Sequence, residues 1–441
     1  MPAKTKSLKR EASLFQLVAY GIGNIIGAGI YVLVGAASGL AGNAIWLSFF
    51  IGAFVAMFTG LSYAELGALY PKAASEYTYV GRAYGNRALS FVTEWTMLLT
   101  EIVAAATVSL GFAEYFQSVF VFPVTMVAAF MLLGLTALVM MGIKSSLKIN
   151  TTLSIIAILG LLIVVAAAVG KFGTIDYGYS PQGISGIMAG TILVFFAYIG
   201  FDNIANLSEE TKDPSNNIPK GLLIALGVST LLYILVGIAA VSLVPFAQLS
   251  TSNAPLALAA SQAFGPIAYN VLTAAALLTT INTVLVLLIV GSRIVYGMAR
   301  ENAIPNILAR LNSRHAPYAA SIAVLLVALA FVSLGKIDMV ARVTSFGSLI
   351  TFALINLAMI HLRRTAPNLK RGFKAPFSIG TIPVTGLLGV LTCLALITQF
   401  DLLSAVLGMI LPISGVAMYL LMGNRKLFGV DAKLLEKNSA R

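Results

Sequence analysis

Along the whole chain, long apolar stretches alternate with short polar connections. Twelve stretches near the length of a membrane-crossing helix recur, at 14–38, 44–69, 86–115, 123–141, 149–170, 184–208, 217–243, 267–299, 317–334, 340–362, 382–400 and 403–423. They predict an all-α polytopic membrane protein with twelve transmembrane helices. The polar stretches leave no room for a soluble domain; the longest, "EETKDPSNNIPK" at 209–220, reads only as a loop. The segment "PFAQLSTSNAPLALAASQAFG" at 245–265 has Gly and Pro at its ends and an apolar middle. It predicts a short helix lying over the extracellular face.

Two of the twelve stretches are interrupted. "GIGNIIGAGI" (21–30) carries four glycines and an asparagine inside span 1, although glycine costs about 1 kcal/mol against alanine in a helix interior. Span 6, "GTILVFFAYIGFDNIANLSEE", is broken at Gly200–Phe201–Asp202–Asn203. The two breaks open spans 1–5 and spans 6–10 respectively, and an odd number of crossings inverts the second half. Matched interruptions in two halves point to the binding site of an inverted-repeat transporter. The domain reading follows: an N-terminal tail over 1–12, a first repeat over 13–170 and a second over 184–362. Two further helices at 382–423 and a tail at 424–441 complete it.

Unpaired backbone groups at membrane depth are tolerated where they line a cavity. Amides at a restarting helix favour an anion, and free carbonyls favour an ammonium. Facing breaks would therefore suit a zwitterion, with its carboxylate on the amides of Gly27, Ala28, Gly29 and Ile30. Its ammonium would lie on carbonyls near Ile25, Phe196, Ala197 and Ile199. The alternative for span 1 is that Gly23 and Gly27 form a G-x-x-x-G packing face.

Composition supports the membrane reading: 59% of residues are hydrophobic and 10% charged, where a soluble domain runs near a quarter charged. The net charge of +12 reports topology rather than nucleic-acid binding. With both termini cytoplasmic, the inner loops and tails hold 24 of the 28 Lys and Arg. The outer loops hold Lys171, Lys336 and Arg342, and Arg293 falls within span 8. That is the positive-inside pattern, in a cell (inner, cytoplasmic) membrane. The basic start "KTKSLKR" leads into a full span, so no removable signal peptide is expected. The single Cys393 and the two histidines, His315 and His361, assemble no metal site. The absence of a GxxxxGK loop argues against nucleotide hydrolysis, and no cofactor is expected.

Four segments together, "GIGNIIGAGIY", "SYAELGALYPKAASEYTYVGRAYG" (62–85), "FFAYIGFDNIANLSEETKDPSNNIPKG" (195–221) and "INTVLVLLIVGSRIVYGMARENAIP" (281–305), resemble the amino acid–polyamine–organocation transporter family. They are most similar to its prokaryotic cationic-amino-acid-transporter-like branch. The resemblance implies a LeuT-type five-plus-five inverted repeat with two C-terminal helices. It places the carboxylate on Gly27, Ala28, Gly29 and Ile30, and the ammonium on the carbonyls of Ile25 and Ile199. Phe196 falls where an aromatic closes over the substrate, Asp202 on an acidic position past the span 6 break, and Glu209–Glu210 on an inner acidic pair. Two positions depart from the family. A span 5 lysine found in proton-coupled members is Ala157 here, with Lys144 and Lys148 at the membrane edge. The glycine pair before span 3 is replaced by Ala74 and Ser75, followed by Glu76.

Three features bear on coupling. Ala276, Thr279 and Thr280 resemble an A-x-x-[TS]-[TS] sodium pattern, but a membrane threonine also bonds its own i−4 carbonyl. Asp202, an acid at a mid-membrane break, suits a proton carrier or gate; it equally suits a cap on the second half of span 6. Glu94 and Glu101 share a helix face, and Glu101 is expected near mid-membrane with a polar partner on a neighbouring helix. Glu65 is expected in a solvated gate salt bridge, and Tyr77, Tyr79 and Tyr84 as interface anchors. The resulting reading is an alternating-access amino acid permease, proton-coupled by symport or exchange. Sodium symport and polyamine or organocation transport are its alternatives. An enzyme would need a nucleophile with its base, and neither is visible.

Overall fold

A computed structural model describes residues 12–72, 75–141, 147–208, 211–300, 304–314 and 316–422. Ala74, Lys144, the Lys148 side chain, Glu209, Glu210 and His315 lie outside the described residues. The expected apolar stretches are helical. Span 1 becomes α1 (Leu14–Ile25) and α2 (Gly29–Ala41), followed by α3 (Ile45–Leu69), α4 (Ser75–Tyr84), α5 (Arg87–Gln117), α6 (Val124–Met140) and α7 (Leu147–Ala168). Span 6 becomes α8 (Gly183–Phe195) and α9 (Asn203–Asn206); α10 (Pro214–Leu243), α11 (Phe246–Thr251), α12 (Pro255–Arg300), α13 (Tyr318–Val332), α14 (Ile337–Thr365), α15 (Val384–Ile397) and α16 (Leu402–Met422) follow.

Among the described residues, eight helical segments are long and apolar enough to cross a membrane by length and composition; α1, α6, α13 and α15 are shorter apolar helices. Two of these short cases have a local cause. The first, α1, is half of an interrupted span. At the other end, α15 loses its expected first residues to a small antiparallel hairpin, Ser378–Ile379 with Ile382–Pro383, and starts after Pro383. The segment expected over one face is helical in two pieces: α11 packs on α2, and the second piece runs into α12 across a kink at Gly265 (φ 71°). Pro266 follows that glycine and has no N–H to give the ladder.

At the centre, α5 packs against α12, α14, α16 and α6. Its hydroxyls are satisfied locally: Thr93, Thr96, Thr100, Thr107 and Ser109 each donate to the carbonyl four residues earlier. That lets a polar helix sit in an apolar interior.

We call the face carrying the start of α1 and the ends of α3 and α14 the proximal face. Glu65 there is 1% exposed and Arg363 3%, so the ion pair is buried rather than solvated as the sequence suggested. The loop after α14 folds over it. Arg363 Nε donates to Glu65 Oε1 at 2.9 Å, and Arg363 Nη2 also pairs with Glu65 Oε2. The Ala375 amide donates to Glu65 Oε2 at 2.8 Å. Arg371 Nε lies 3.1 Å from Glu65 Oε1, while its Nη2 donates to the Leu362 and Ala366 carbonyls at the end of α14. The aromatic expectation also needs correction. Tyr77 and Tyr79 are buried, because α4 tucks under the bundle against α5 and α14; Tyr84 is half-buried, its ring tilted 34° against that of His361 at 4.8 Å.

Candidate substrate site at the two helix breaks

The break in span 1 runs over Ile26–Gly27–Ala28, between the last turn of α1 and the first of α2. The first helical bond of α2 is Val32 N–H to the Ala28 carbonyl. The amides of its opening turn therefore have no carbonyl behind them within the helix. In span 6, α8 tightens into a 3₁₀ turn over Phe196–Tyr198, extends at Ile199 and reverses at Gly200 (φ 112°) before α9. A φ of that sign favours glycine.

The two breaks touch. A Cβ on Gly29 would stand 2.7 Å from Ala197 Cα, and one on Gly200 would stand 3.2 Å from the Asn24 carbonyl oxygen. Small residues are thus required on both sides. The paired glycines of span 1 divide their work: Gly23 packs against Ser154 of α7, while Gly27 faces the Thr283 hydroxyl of α12.

Between the breaks lies a cavity of about 80 Å³. Ile25, Gly27, Ala28, Gly29, Phe196, Ala197 and Ile199 all line it; Ile30 is buried in the turn behind. The wall on α5 and α12 is largely apolar: Ala104, Val108, Val286, Leu287 and Val290, with Glu101 among them. The amide side chains of Asn24, Asn203 and Asn282 and the Thr283 hydroxyl add polar groups near the breaks.

One residue escaped the sequence reading. Tyr233 of α10, 0% exposed, has its hydroxyl 2.5 Å from the Ile25 carbonyl and 3.0 Å from the Ala197 carbonyl. A single O–H is shared between the two broken helices. Its ring is held by Phe49 and by Tyr198, whose own hydroxyl donates to the Phe49 carbonyl. The expected ammonium carbonyls are therefore gathered by a protein donor, each keeping a second lone pair. The Phe196 carbonyl accepts the Ile199 amide. The available signal was a lone tyrosine in an aliphatic stretch, since a buried phenol must find a partner. A second phenol does related work: Tyr31 of α2 donates to the Ala157 carbonyl at 2.6 Å, at the position where the family lysine is missing.

The coupling candidates separate. Asp202 precedes α9 but makes no cap bond to it. Its Oδ1 instead accepts the Gly200 amide at 3.0 Å, bracing the turn, and its buried Oδ2 has no hydrogen-bond partner among the described residues. Glu101 lines the cavity, and no neighbouring helix supplies a partner to its Oε2 among the described residues. On α12, Thr280 donates to the Ala276 and Leu277 carbonyls of its own helix. The Thr279 hydroxyl is buried without a partner among the described residues, and Ala276, Thr279 and Thr280 lie outside the lining of the cavity. Among the described residues, no cluster of His, Cys, Asp and Glu has the form of a metal site.

A family model described as amino acid permease matches residues 13–421. The chain belongs to this amino acid permease family. It is a membrane transporter of the amino acid–polyamine–organocation group rather than an enzyme, as the sequence motifs implied. The branched-chain amino acid permease of Bacillus subtilis is 32% identical, over 94% of this chain and 93% of its own length. The methylthioribose transporter of the same organism is 29% identical, over 89% of this chain and 88% of its own. The human cationic amino acid transporter 4 is 30% identical over 81% of this chain, which spans 60% of that longer protein.

Proposed function

We propose that this permease carries neutral, branched aliphatic amino acids by alternating access, in symport with a proton. The observation that carries the reading is the cavity itself: two opposed backbone breaks on one side and an aliphatic wall on the other. The α2 amides suit a carboxylate, the Ile25, Ala197 and Ile199 carbonyls suit an ammonium, and Ala104, Val108, Val286, Leu287 and Val290 suit an apolar side chain. The full-length similarity to a branched-chain amino acid permease supports the same class. The site belongs to twelve crossings in a five-plus-five inverted repeat with two added helices, both termini on the cytoplasmic side of the cell membrane. The proximal face, with its arginines, is then the cytoplasmic one.

A second reading has one specific observation in its favour. Glu101 presents a carboxylate to the cavity, which a cationic side chain would neutralise. We assign Glu101 and Asp202 to proton carriage instead, because an aliphatic wall surrounds Glu101. A panel of labelled amino acids in proteoliposomes decides between them. Leucine, isoleucine and valine are expected to enter at least about tenfold faster than lysine or arginine, since an unpaired charge is costly against an apolar wall. An inward proton gradient should stimulate that entry and a sodium gradient should not. Asp202→Asn should remove the stimulation while leucine exchange continues. Preference for lysine would favour the cationic reading; sodium stimulation would return the coupling to Thr279 and Thr280.

A further inference from the structure

A separate cavity, of about 650 Å³, opens at the proximal face and shares no lining residue with the one between the helix breaks. It forms where helices end: Tyr70 follows α3, residues 81–85 finish α4, and the last turn of α14 runs into the loop behind it. α4 packs on α14 and stops at Gly85 (φ 62°), whose amide donates to the Gly81 carbonyl at 3.0 Å. A left-handed residue at that point turns the chain off the helix axis. The space beyond is open, since a Cβ on Gly85 would meet nothing within 4 Å. A volume of this size is that of a small-molecule site.

The lining is cationic and aromatic. Arg82 lies over the Tyr70 ring, its guanidinium carbon 5.6 Å from the centroid, and Tyr84 lies against His361 with ring centres 4.8 Å apart. Neither Asp nor Glu lines the cavity. Among the described residues, the ion pairs are those of Glu65 and Asp401, and Arg82 belongs to none of them. Glu65 at this face is already held by Arg363, Arg371 and the Ala375 amide. The loop wall adds little negative charge of its own. The carbonyls of Leu362, Ala366, Pro367 and Leu369 accept from Arg371, which is outside the lining. Arg364 and Lys370, both exposed, flank lining residues in the chain and raise the positive potential at the mouth.

A half-buried guanidinium thus stands in a concave site whose lining holds no carboxylate. The arginine fork matches phosphate oxygens bidentately, and Asn368 and the two tyrosines can add neutral donors. Ala83, Leu362, Ala366 and Pro367 make the rest of the wall apolar, which suits an organic phosphate ester better than a bare ion. We propose that this cavity is a second binding site, for an organic phosphate held by Arg82 and His361. Its source is a phospholipid headgroup at the membrane surface or a soluble ester. The site rests on neither the substrate nor the coupling reading above.

A ligand that joins the ends of α3, α4 and α14 stabilises the fold by mass action, so thermal unfolding of full-length protein in nonionic detergent tests the site. The probes are dihexanoyl phosphatidylglycerol and glycerol phosphate, with potassium chloride at equal ionic strength as the control. A saturable rise in the midpoint is expected. A rise with the lipid and not with glycerol phosphate makes the occupant a membrane lipid; a rise with glycerol phosphate at equal or lower concentration makes it a soluble ester. Arg82→Gln should need at least about tenfold more ligand for the same rise, the scale of a lost hydrogen bond to a charged group. Arg82→Lys keeps the charge without the fork and should fall between, which keeps the test open if the glutamine variant is poorly folded. Arg364→Gln, at the exposed flank, should respond as wild type. No rise beyond that given by potassium chloride, or an undiminished response in both Arg82 variants, would overturn the site.

Discussion

Arg363→Met is expected to destabilise the protein by about 3 kcal/mol, the lower end of the range for breaking a buried ion pair. The reason is the position of Glu65. At 1% exposure its carboxylate has no water to turn to, and the guanidinium of Arg363 supplies two of its bonds. The Arg371 guanidinium and the Ala375 amide remain, which keeps the loss from the upper end of the range. Thermal unfolding in detergent measures the effect as a lowered midpoint. The double variant Glu65→Leu/Arg363→Met should recover part of the loss, because it removes the stranded charge as well as its partner. A change under about 1 kcal/mol in the single variant would mean that the pair behaves like an exposed one. The latch joins the ends of α3 and α14 and the loop after α14, so its loss should also raise exposure of that loop to protease.

Gly29→Val should reduce transport by about 100-fold or more, the scale of an ångström-sized misplacement at a binding site. The new Cβ would stand 2.7 Å from Ala197 Cα and 3.3 Å from its amide nitrogen. That neighbour is backbone, and no rotamer change removes it. The breaks would have to move apart, pulling the Ile25 and Ala197 carbonyls away from their common Tyr233 donor. Initial uptake rates normalised to monodisperse protein check this. Gly227→Ala, where a Cβ meets nothing within 4 Å, is the matched control and should transport normally. Normal transport by Gly29→Val would mean that the breaks do not need to touch.

The helices were readable because a bilayer forces their composition: without water, a crossing segment must be apolar and internally bonded. The breaks were readable for the same reason, since "GIGNIIGAGI" and "YIGFDN" are conspicuous only against that background. What the sequence hid is long-range. Nothing near Tyr233 in the chain indicates that its hydroxyl meets Ile25, 208 residues away. Glu65 looked solvated because it ends a span, and only the folded loop carrying Arg371 and Ala375 closes over it. Tyr77 and Tyr79 looked like interface anchors because α4 is short and polar; its buried face shows only once α5 and α14 are in place. The helix-face rule did place Glu94 and Glu101 together. It could not show that Glu94 accepts the Tyr77 amide of another element, α4.

The central claim is that the two breaks hold the two ends of a zwitterion. Competition against leucine uptake by two truncated analogues tests it most directly: 3-methylbutylamine, which lacks the carboxylate, and 4-methylpentanoate, which lacks the ammonium. Each loses one set of charge-assisted hydrogen bonds, which are worth about 1.5–3 kcal/mol apiece. Neither is expected to inhibit at concentrations about tenfold above those at which leucine does. Inhibition by the amine as strong as that by leucine would contradict the claim, because it would leave the α2 amides with no carboxylate to hold.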